Sequence, residues 1–306
     1  RHEPARMRRA DLVGHLNTFL HRRLTGARVV DPGSASFMGL YRTLDLEGWS
    51  DELIEAVGAS RSWLPEVREG SEVGGRLTSE AASLLGLPQG TPMLVGVMDT
   101  SAAMLRAGAE PGRLTNACGS TDVLALCTDR PRPHPRLLTR AMGVGRLWLS
   151  VSTIAAAGSS IAWVRRALFA DLGERQFARL ILCAASRRGA SGVRFEPYLA
   201  GDRASIEQRK ASFEGLTLAA TREDMLAAVV EALCRQSAGR LELLAGNPVK
   251  LRREVVVTGG VQKGLSLGPI RPSLLHGDWP GRWRFRSEEE ASVRGLWDLA
   301  FSAGRS

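Results

Sequence analysis

A single carboxylate, Asp99, follows the apolar run Met93-Leu94-Val95-Gly96-Val97, and the tripeptide Gly119-Ser120-Thr121 stands further on between two more apolar runs. No other charged residue falls between Glu80 and Arg106. The small residues Thr100-Ser101-Ala102-Ala103 can open a helix straight after Asp99, a place that suits a base. The strand-like runs Arg113 to Ala117 and Val123 to Cys127 make Gly119-Ser120-Thr121-Asp122 a tight hairpin turn, whose N–H groups and hydroxyls can cradle phosphate oxygens. Together they read as two facing walls of a phosphoryl-transfer cleft. Each has a plainer reading as well, Asp99 as a helix cap and the tripeptide as an ordinary turn.

The surrounding elements must position these groups. Leu12, Leu16, Phe19, Leu20 and Leu24 recur at helical spacing, with Asp11 placed to cap and Gly26 to stop the helix. Asp31 opens a turn-rich loop, and Ser50-Asp51-Glu52-Leu53 starts a short helix that stops at Gly58. Thr78 caps a helix ending at Gly86, and Pro88 to Pro92 breaks the chain before the strand that leads to Asp99. A domain boundary is expected near Ala107 to Glu110. Beyond it, Leu147 to Val151 reads as a strand, and Gly158-Ser159-Ser160 opens a helix running through Leu168, whose N-terminal N–H groups and positive dipole end suit a phosphate. Thr221 caps a long helix through Leu244, with Leu226, Val229, Val230 and Leu233 as its buried face. Val255-Val256-Val257 reads as a buried strand ending at Gly259-Gly260, where the lack of Cβ atoms lets a flat ring or a phosphate approach the backbone.

Length and composition bound the reading. A chain of 306 residues, 44% hydrophobic and 24% charged, fits a soluble globular protein of two domains, without an apolar run long enough to span a bilayer. Four cysteines, Cys118, Cys127, Cys183 and Cys234, show no paired spacing and are expected to be reduced core residues of a cytoplasmic protein. The five histidines form no ligand-spaced set, so any metal is expected to arrive with a nucleotide. The net charge of +9 is spread over separate arginine clusters without interleaved aromatics, which argues against a specific nucleic-acid platform and leaves a mild attraction for anionic ligands. The chain begins at Arg1 without Met or a leader-like segment and is expected to be a fragment.

From about Leu12 onward the sequence resembles the FGGY family of carbohydrate kinases. Ala211-Ser212-Phe213-Glu214-Gly215-Leu216, followed by Asp224-Met225 and Ala228-Val229-Val230-Glu231, fits the family's C-terminal signature. Gly201-Asp202-Arg203-Ala204-Ser205 looks like its Gly-Glu-Arg-Thr-Pro stretch, and Val255 to Gly260 like its strand and double-glycine turn under the adenine. The resemblance implies an α/β fold of the actin-like ATPase, ribonuclease-H-like type. Residues 1–108 would form the C-terminal part of an incomplete sugar-binding domain, and residues 109–306 the nucleotide-binding domain. It implies transfer of the γ-phosphate of ATP, with Mg²⁺, to a hydroxyl of a sugar, ketose or polyol, a xylulose-like ketose leading. Asp99 matches the family's base. Gly119, Ser120, Thr121, Gly158, Gly259 and Gly260 match its nucleotide contacts, and Gly264 stands where the family often has a polar residue touching the adenine. The family's first phosphate loop, an Asp-x-Gly-Thr hairpin, has no counterpart here, which leaves the activity of the fragment itself open. Asp278-Trp279-Pro280-Gly281-Arg282-Trp283 falls in a region far from the sugar. The partner expected is a small sugar or polyol, with no membrane and no specific nucleic acid, and homo-oligomerisation is left open. A non-catalytic sugar- or nucleotide-sensing relative and a basic nucleic-acid-binding module are the alternatives.

Overall fold

The computed structural model describes residues 9–203, 205–259 and 272–303. The first part of the chain carries α1 (Leu16–Thr25), β1 (Val29–Val30), α2 (Pro32–Phe37), α3 (Asp51–Ala56), β2 (Glu66–Val67), β3 (Val73–Arg76), α4 (Ser79–Leu85), β4 (Pro92–Leu94) and α5 (Asp99–Ala107). The second part carries β5 (Leu114–Cys118), β6 (Asp122–Thr128), β7 (Leu138–Ala141), β8 (Trp148–Ile154), α6 (Gly158–Leu168), α7 (Glu174–Ser186), β9 (Arg194–Glu196) and β10 (Ser212–Glu214). It closes with α8 (Arg222–Ala245), β11 (Glu254–Thr258), α9 (Pro272–Leu275), β12 (Arg284–Ser287) and α10 (Ala291–Ala303).

The centre is a six-stranded mixed sheet in the order β12-β11-β5-β6-β8-β7. Strands β12, β11 and β5 run parallel, and the hairpin β5–β6 reverses the direction. Both faces are covered, which is why Val255-Val256-Val257 and Val123 to Cys127 read as continuous apolar runs rather than alternating ones. The pleat sorts them. Leu124, Leu126, Val255 and Val257 join the core under α6, α7 and α8, while Ala125, Cys127 and Val256 join Met104 and Ala107 of α5 on the opposite face. The expected buried face of α8 is borne out, with Leu226, Val229, Val230 and Leu233 at most 1% exposed. Thr221 and Asp224 form a reciprocal capping box at its start. Cys118, Cys127 and Cys234 are core residues, whereas Cys183 is exposed, contrary to expectation, because it falls on the outer face of α7.

Helix α1 departs from the sequence reading. It starts at Leu16 behind His15 rather than behind Asp11, which instead pairs with Arg28 at 3.1 Å. Its buried positions are Thr18 and His21, and Leu16 and Phe19 lie 71% and 61% exposed. The apolar stripe is present in the sequence but faces outward. Gly26 ends the helix in the left-handed conformation, as expected. Trp279 is buried against His276 and Phe285, so it forms no open stacking platform.

Helix α5 lies between the sheet and α10. The two helices cross at Gly295, where an added Cβ would overlap the carbonyl oxygen of Ala102. Ser292 Oγ donates to the Asp99 carbonyl at 2.9 Å, tying the first turns of both helices together. Because the clash is with backbone, Gly295→Ala is expected to push the helices apart and cost about 1–3 kcal/mol despite alanine's better helix propensity. Thermal or urea unfolding of the variant checks this, and an unchanged midpoint would show that the crossing relaxes freely.

Candidate active site

Asp99 occupies the first helical position of α5, behind Met98 as N-cap, and is exposed. Its Oδ1 accepts from the Thr100 N–H at 2.6 Å and from the Thr100 hydroxyl at 3.1 Å, which sets the carboxylate on the first turn. It lines a cavity of about 710 Å³ together with Phe37, Val123, Arg140, Thr153 and Arg203. Val123 and Thr153 pair across β6 and β8, next to the Asp122–Ile154 pair that borders the Gly119-Ser120-Thr121 turn. The cavity therefore reaches from the base candidate to the edge of the phosphate-turn candidate.

The turn is tight, as expected. The Gly119 N–H donates to the Thr121 carbonyl at 2.8 Å, closing the hairpin between β5 and β6. The start of α6 is laid against it. The N–H groups of Ala157 and Ser159 both donate to the Ser120 carbonyl, the Gly158 N–H donates to the Gly119 carbonyl at 3.2 Å, and Ser159 Oγ also donates to Ser120. These amides of α6 are thus spent on the turn, so the helix start fixes the turn's shape where the sequence reading had them open to a phosphate. The N–H groups of Ser120 and Thr121 carry none of these bonds. Gly259, in the left-handed conformation at φ 105°, ends β11 so close to Cys118 that a side chain there would overlap the Cys118 carbonyl. Gly119, Ser120, Thr121, Gly158 and Gly259 are thus brought together at one end of the sheet. Gly260 and Gly264 lie outside the described residues.

Beneath the turn runs a buried polar chain that motif reading missed. Asp122, fully buried, takes a 2.5 Å bond from Arg240 Nη2 of α8 and a 2.9 Å bond from the Asn116 amide of β5. Arg240 Nη1 also donates to the Asp122 carbonyl at 3.1 Å. Beyond Asn116, His276 Nε2 lies 3.2 Å from the Asn116 amide oxygen, and His276 Nδ1 lies 2.6 Å from Ser237 Oγ. Trp279 Nε1 in turn donates to Ser237 Oγ at 2.8 Å. With the Asn116 amide N–H committed to Asp122, its oxygen must accept, so His276 carries its proton on Nε2 and accepts from Ser237 on Nδ1. Burial alone would raise the Asp122 carboxyl, but Arg240, His276 and the Asn116 amide outweigh it and hold it below the ordinary value. Burial pushes His276 down to about 4 against the opposing pull of Asp122. The pleat supplies the only signal in the sequence, since Asp122 shares the α8 face with Leu124 and Leu126 and so needs a counter-charge there.

Arg140 of β7 was also missed. It pairs in register with Leu149, which puts it on the α5 face beside Met98 and Asp99. The side chain is buried, and burial lowers its pKa to about 10 in spite of Asp99 and Asp31, so it remains a cation at neutral pH. Asp31 itself is a buried cap of α2, accepting from the Ser34 N–H and from the Asn17 amide, each at 3.0 Å. From the sequence alone Asp31 reads as a turn residue. A second cavity of about 290 Å³, lined by Tyr198, Gln236 and Arg240, shares Arg136, Ser152 and Thr153 with the first. Among the described residues, no group of three or more His, Cys, Asp or Glu side chains could hold a metal ion, and no helix is long and apolar enough to cross a membrane.

Residues 1–106 match the N-terminal domain, and residues 114–265 the C-terminal domain, of the FGGY family of carbohydrate kinases. The chain is 29% identical over 292 aligned positions to an erythritol kinase of Brucella abortus, covering 86% of this chain and 54% of that protein. It is 25% identical over 291 positions to an L-fuculokinase of Escherichia coli, covering 89% of this chain and 57% of that protein. A crystal structure of xylulose kinase from Rhodospirillum rubrum superimposes with a TM-score of 0.84 at 25% identity, over 99% of this chain and 61% of that one. The chain spans little more than half the length of the relatives it matches. It belongs to the FGGY family of carbohydrate kinases.

The buried imidazole makes stability depend on pH. His276 titrates at about 4 in the folded chain against an ordinary 6.5, so between these values the unfolded chain binds the extra proton. Its contribution is complete above pH 6.5 and is lost as pH falls toward 4. The loss is on the order of 1 kcal/mol per pH unit. Urea unfolding at pH 7, 6 and 5 is expected to show a smaller decline for His276→Gln than for the parent, and parallel declines would remove His276 as the source.

Proposed function

We propose that this chain's site serves ATP-dependent phosphorylation of a hydroxyl on a small sugar, ketose or polyol, with Asp99 as the general base. The observation that carries the reading is the cavity that extends from Asp99 to Val123 of β6, two residues past the Gly119-Ser120-Thr121 turn. A base must come within about 3 Å of the attacking hydroxyl, and the exposed carboxylate on the rigid first turn of α5 can meet that need from the cavity wall. The Ser120 and Thr121 N–H groups would face the phosphates, and Gly119 leaves room for their approach, since an added Cβ there would meet only the Thr121 carbonyl, at 3.8 Å. The carboxylate that follows the turn does not repel a phosphate, because Asp122 is matched by Arg240. Gly259 would lie under the adenine. When bound, ATP supplies the phosphoryl group and Mg²⁺ neutralises charge on its oxygens.

Among acceptors, a xylulose-like ketose fits the likeness to the xylulose kinase fold, and relatives named for erythritol and L-fuculose keep linear polyols and other ketoses within the class. The test is Asp99→Asn in the active protein. Turnover, read as sugar-dependent ADP release, is expected to fall by roughly two orders of magnitude or more, while ATP affinity by calorimetry stays within about twofold. An Asn variant with near-parental turnover on its best acceptor would remove Asp99 from the mechanism.

A further inference from the structure

Arg140 presents a cost that the kinase reading does not explain. It is 2% exposed, and no carboxylate among the described residues forms an ion pair with it. Its Nε is buried without a hydrogen-bond partner, its Nη1 meets only the thioether of Met98 at 2.8 Å, and its guanidinium lies over the Phe37 ring at 5.4 Å. Asp99 and Asp31 act on it electrostatically without a direct ion pair, and with a thioether and a ring face as its contacts this is incomplete compensation for a buried cation, which normally requires a paired anion or several strong acceptors. The same side chain lines the cavity that holds Asp99. That cavity's lining includes three arginines, Arg136, Arg140 and Arg203, and one carboxylate, Asp99.

We infer that the acceptor taken by this cavity carries a carboxylate, with Arg140 as its counter-ion and Asp99 at the hydroxyl to be phosphorylated. The inference rests on the kinase reading and departs from it in the acceptor, which becomes a sugar acid of the aldonate class in place of a neutral ketose or polyol. The alternative duty for Arg140 is to hold the donor's phosphates. Its strand argues against that. β7 is the edge strand, separated from the β5–β6 hairpin by β8, and strands lie about 4.8 Å apart, so Arg140 stands roughly 10 Å or more from the phosphate turn. Its guanidinium also points toward Met98 and Phe37, the wall contributed by the first part of the chain. A cavity of about 710 Å³ with a carboxylate at one place and a buried guanidinium at another matches a molecule with a hydroxyl at one end and an acid at the other. A neutral polyol could accept from the Arg140 N–H groups through its hydroxyls but would leave the buried charge unmatched, whereas a carboxylate gives charge-assisted, bidentate bonds.

The experiment is calorimetric titration of the chain with D-gluconate and with D-glucitol, which share a carbon skeleton and differ at the acid. The parent is expected to prefer the acid by about tenfold or more, as a charge-assisted bond to a buried cation provides. In Arg140→Met the ratio is expected to fall to within about twofold, while Arg140→Lys, which keeps the charge, retains part of the preference. ATP affinity is expected to be equal in all three, and thermal melts verify that each is folded. A ratio near one in the parent, including failure to bind either compound, overturns the assignment. So does an acid preference that survives in Arg140→Met, or one lost together with ATP affinity, which would make Arg140 a donor-phosphate ligand. A sugar-dependent ADP-release assay separates the two levels. Phosphorylation of neutral polyols or ketoses with no preference for the acid leaves the kinase reading standing and overturns this one. Acid preference without nucleotide binding supports the Arg140 assignment and counts against the kinase reading.

Discussion

The ion pair between Asp122 and Arg240 is the constraint on which the geometry around the β5–β6 turn depends. It sits fully inside the sheet–helix layer, with side-chain exposures of 0% and 6%, directly under the turn that joins β5 to β6. A buried pair of this kind is not retained for stability, because desolvating two charges offsets most of their attraction. Its value lies in direction. Arg240 reaches from α8 to both the carboxylate and the carbonyl of Asp122, so the strand end, the hairpin and the long helix are held in one register. The relay from Asp122 through Asn116, His276 and Ser237 to Trp279 extends that register across β5 to the segment before β12. From Asn116 to Trp279 each side chain of the relay is hydrogen-bonded to the next, while Arg240 Nε is buried without a hydrogen-bond partner; a network paired along its length rigidifies a core.

Much of the fold could be read from the sequence because its punctuation is local. Thr78, Thr221, Gly26 and Gly86 mark helix ends by chemistry that acts within one turn, and each does so in the structure. The runs Val255 to Val257 and Val123 to Cys127 read as strands because both sheet faces are covered. Helix α1 was misread for a corresponding reason. Periodicity reports that Leu16, Phe19 and Leu20 share a face, but which face is covered is set by elements far off in sequence, and here Thr18 and His21 are the residues packed inward.

The candidate site was legible only in part. Asp99, Gly119 and Gly259 stand at ends of apolar runs, where a polar or glycine residue is conspicuous. Arg140 and Arg240 lie inside helix and strand patterns rich in other arginines, and nothing local separates a buried arginine from an exposed one. Their significance comes from pleat parity. Asp122 and Val123 are adjacent in sequence and face opposite sides of the sheet, so one meets Arg240 of α8 and the other lines the cavity with Asp99 and Arg140. The helix start at Gly158 was identified correctly as an element and read differently in detail, because its free amides satisfy the carbonyls of a turn that the sequence cannot bring to it.

The crossing of α5 and α10 at Gly295 has a mechanical meaning. With no side chain at the Gly295 crossing, a hydroxyl of Ser292 clasping the backbone of Asp99, and Arg106 of α5 paired with Asp298 of α10 at 3.2 Å, the two helices are tied along their length. Helix α10 follows β12, which is paired with β11, and β11 ends at Gly259. The end of β11 is therefore linked through β12 and α10 to the backbone that carries the Asp99 carboxylate.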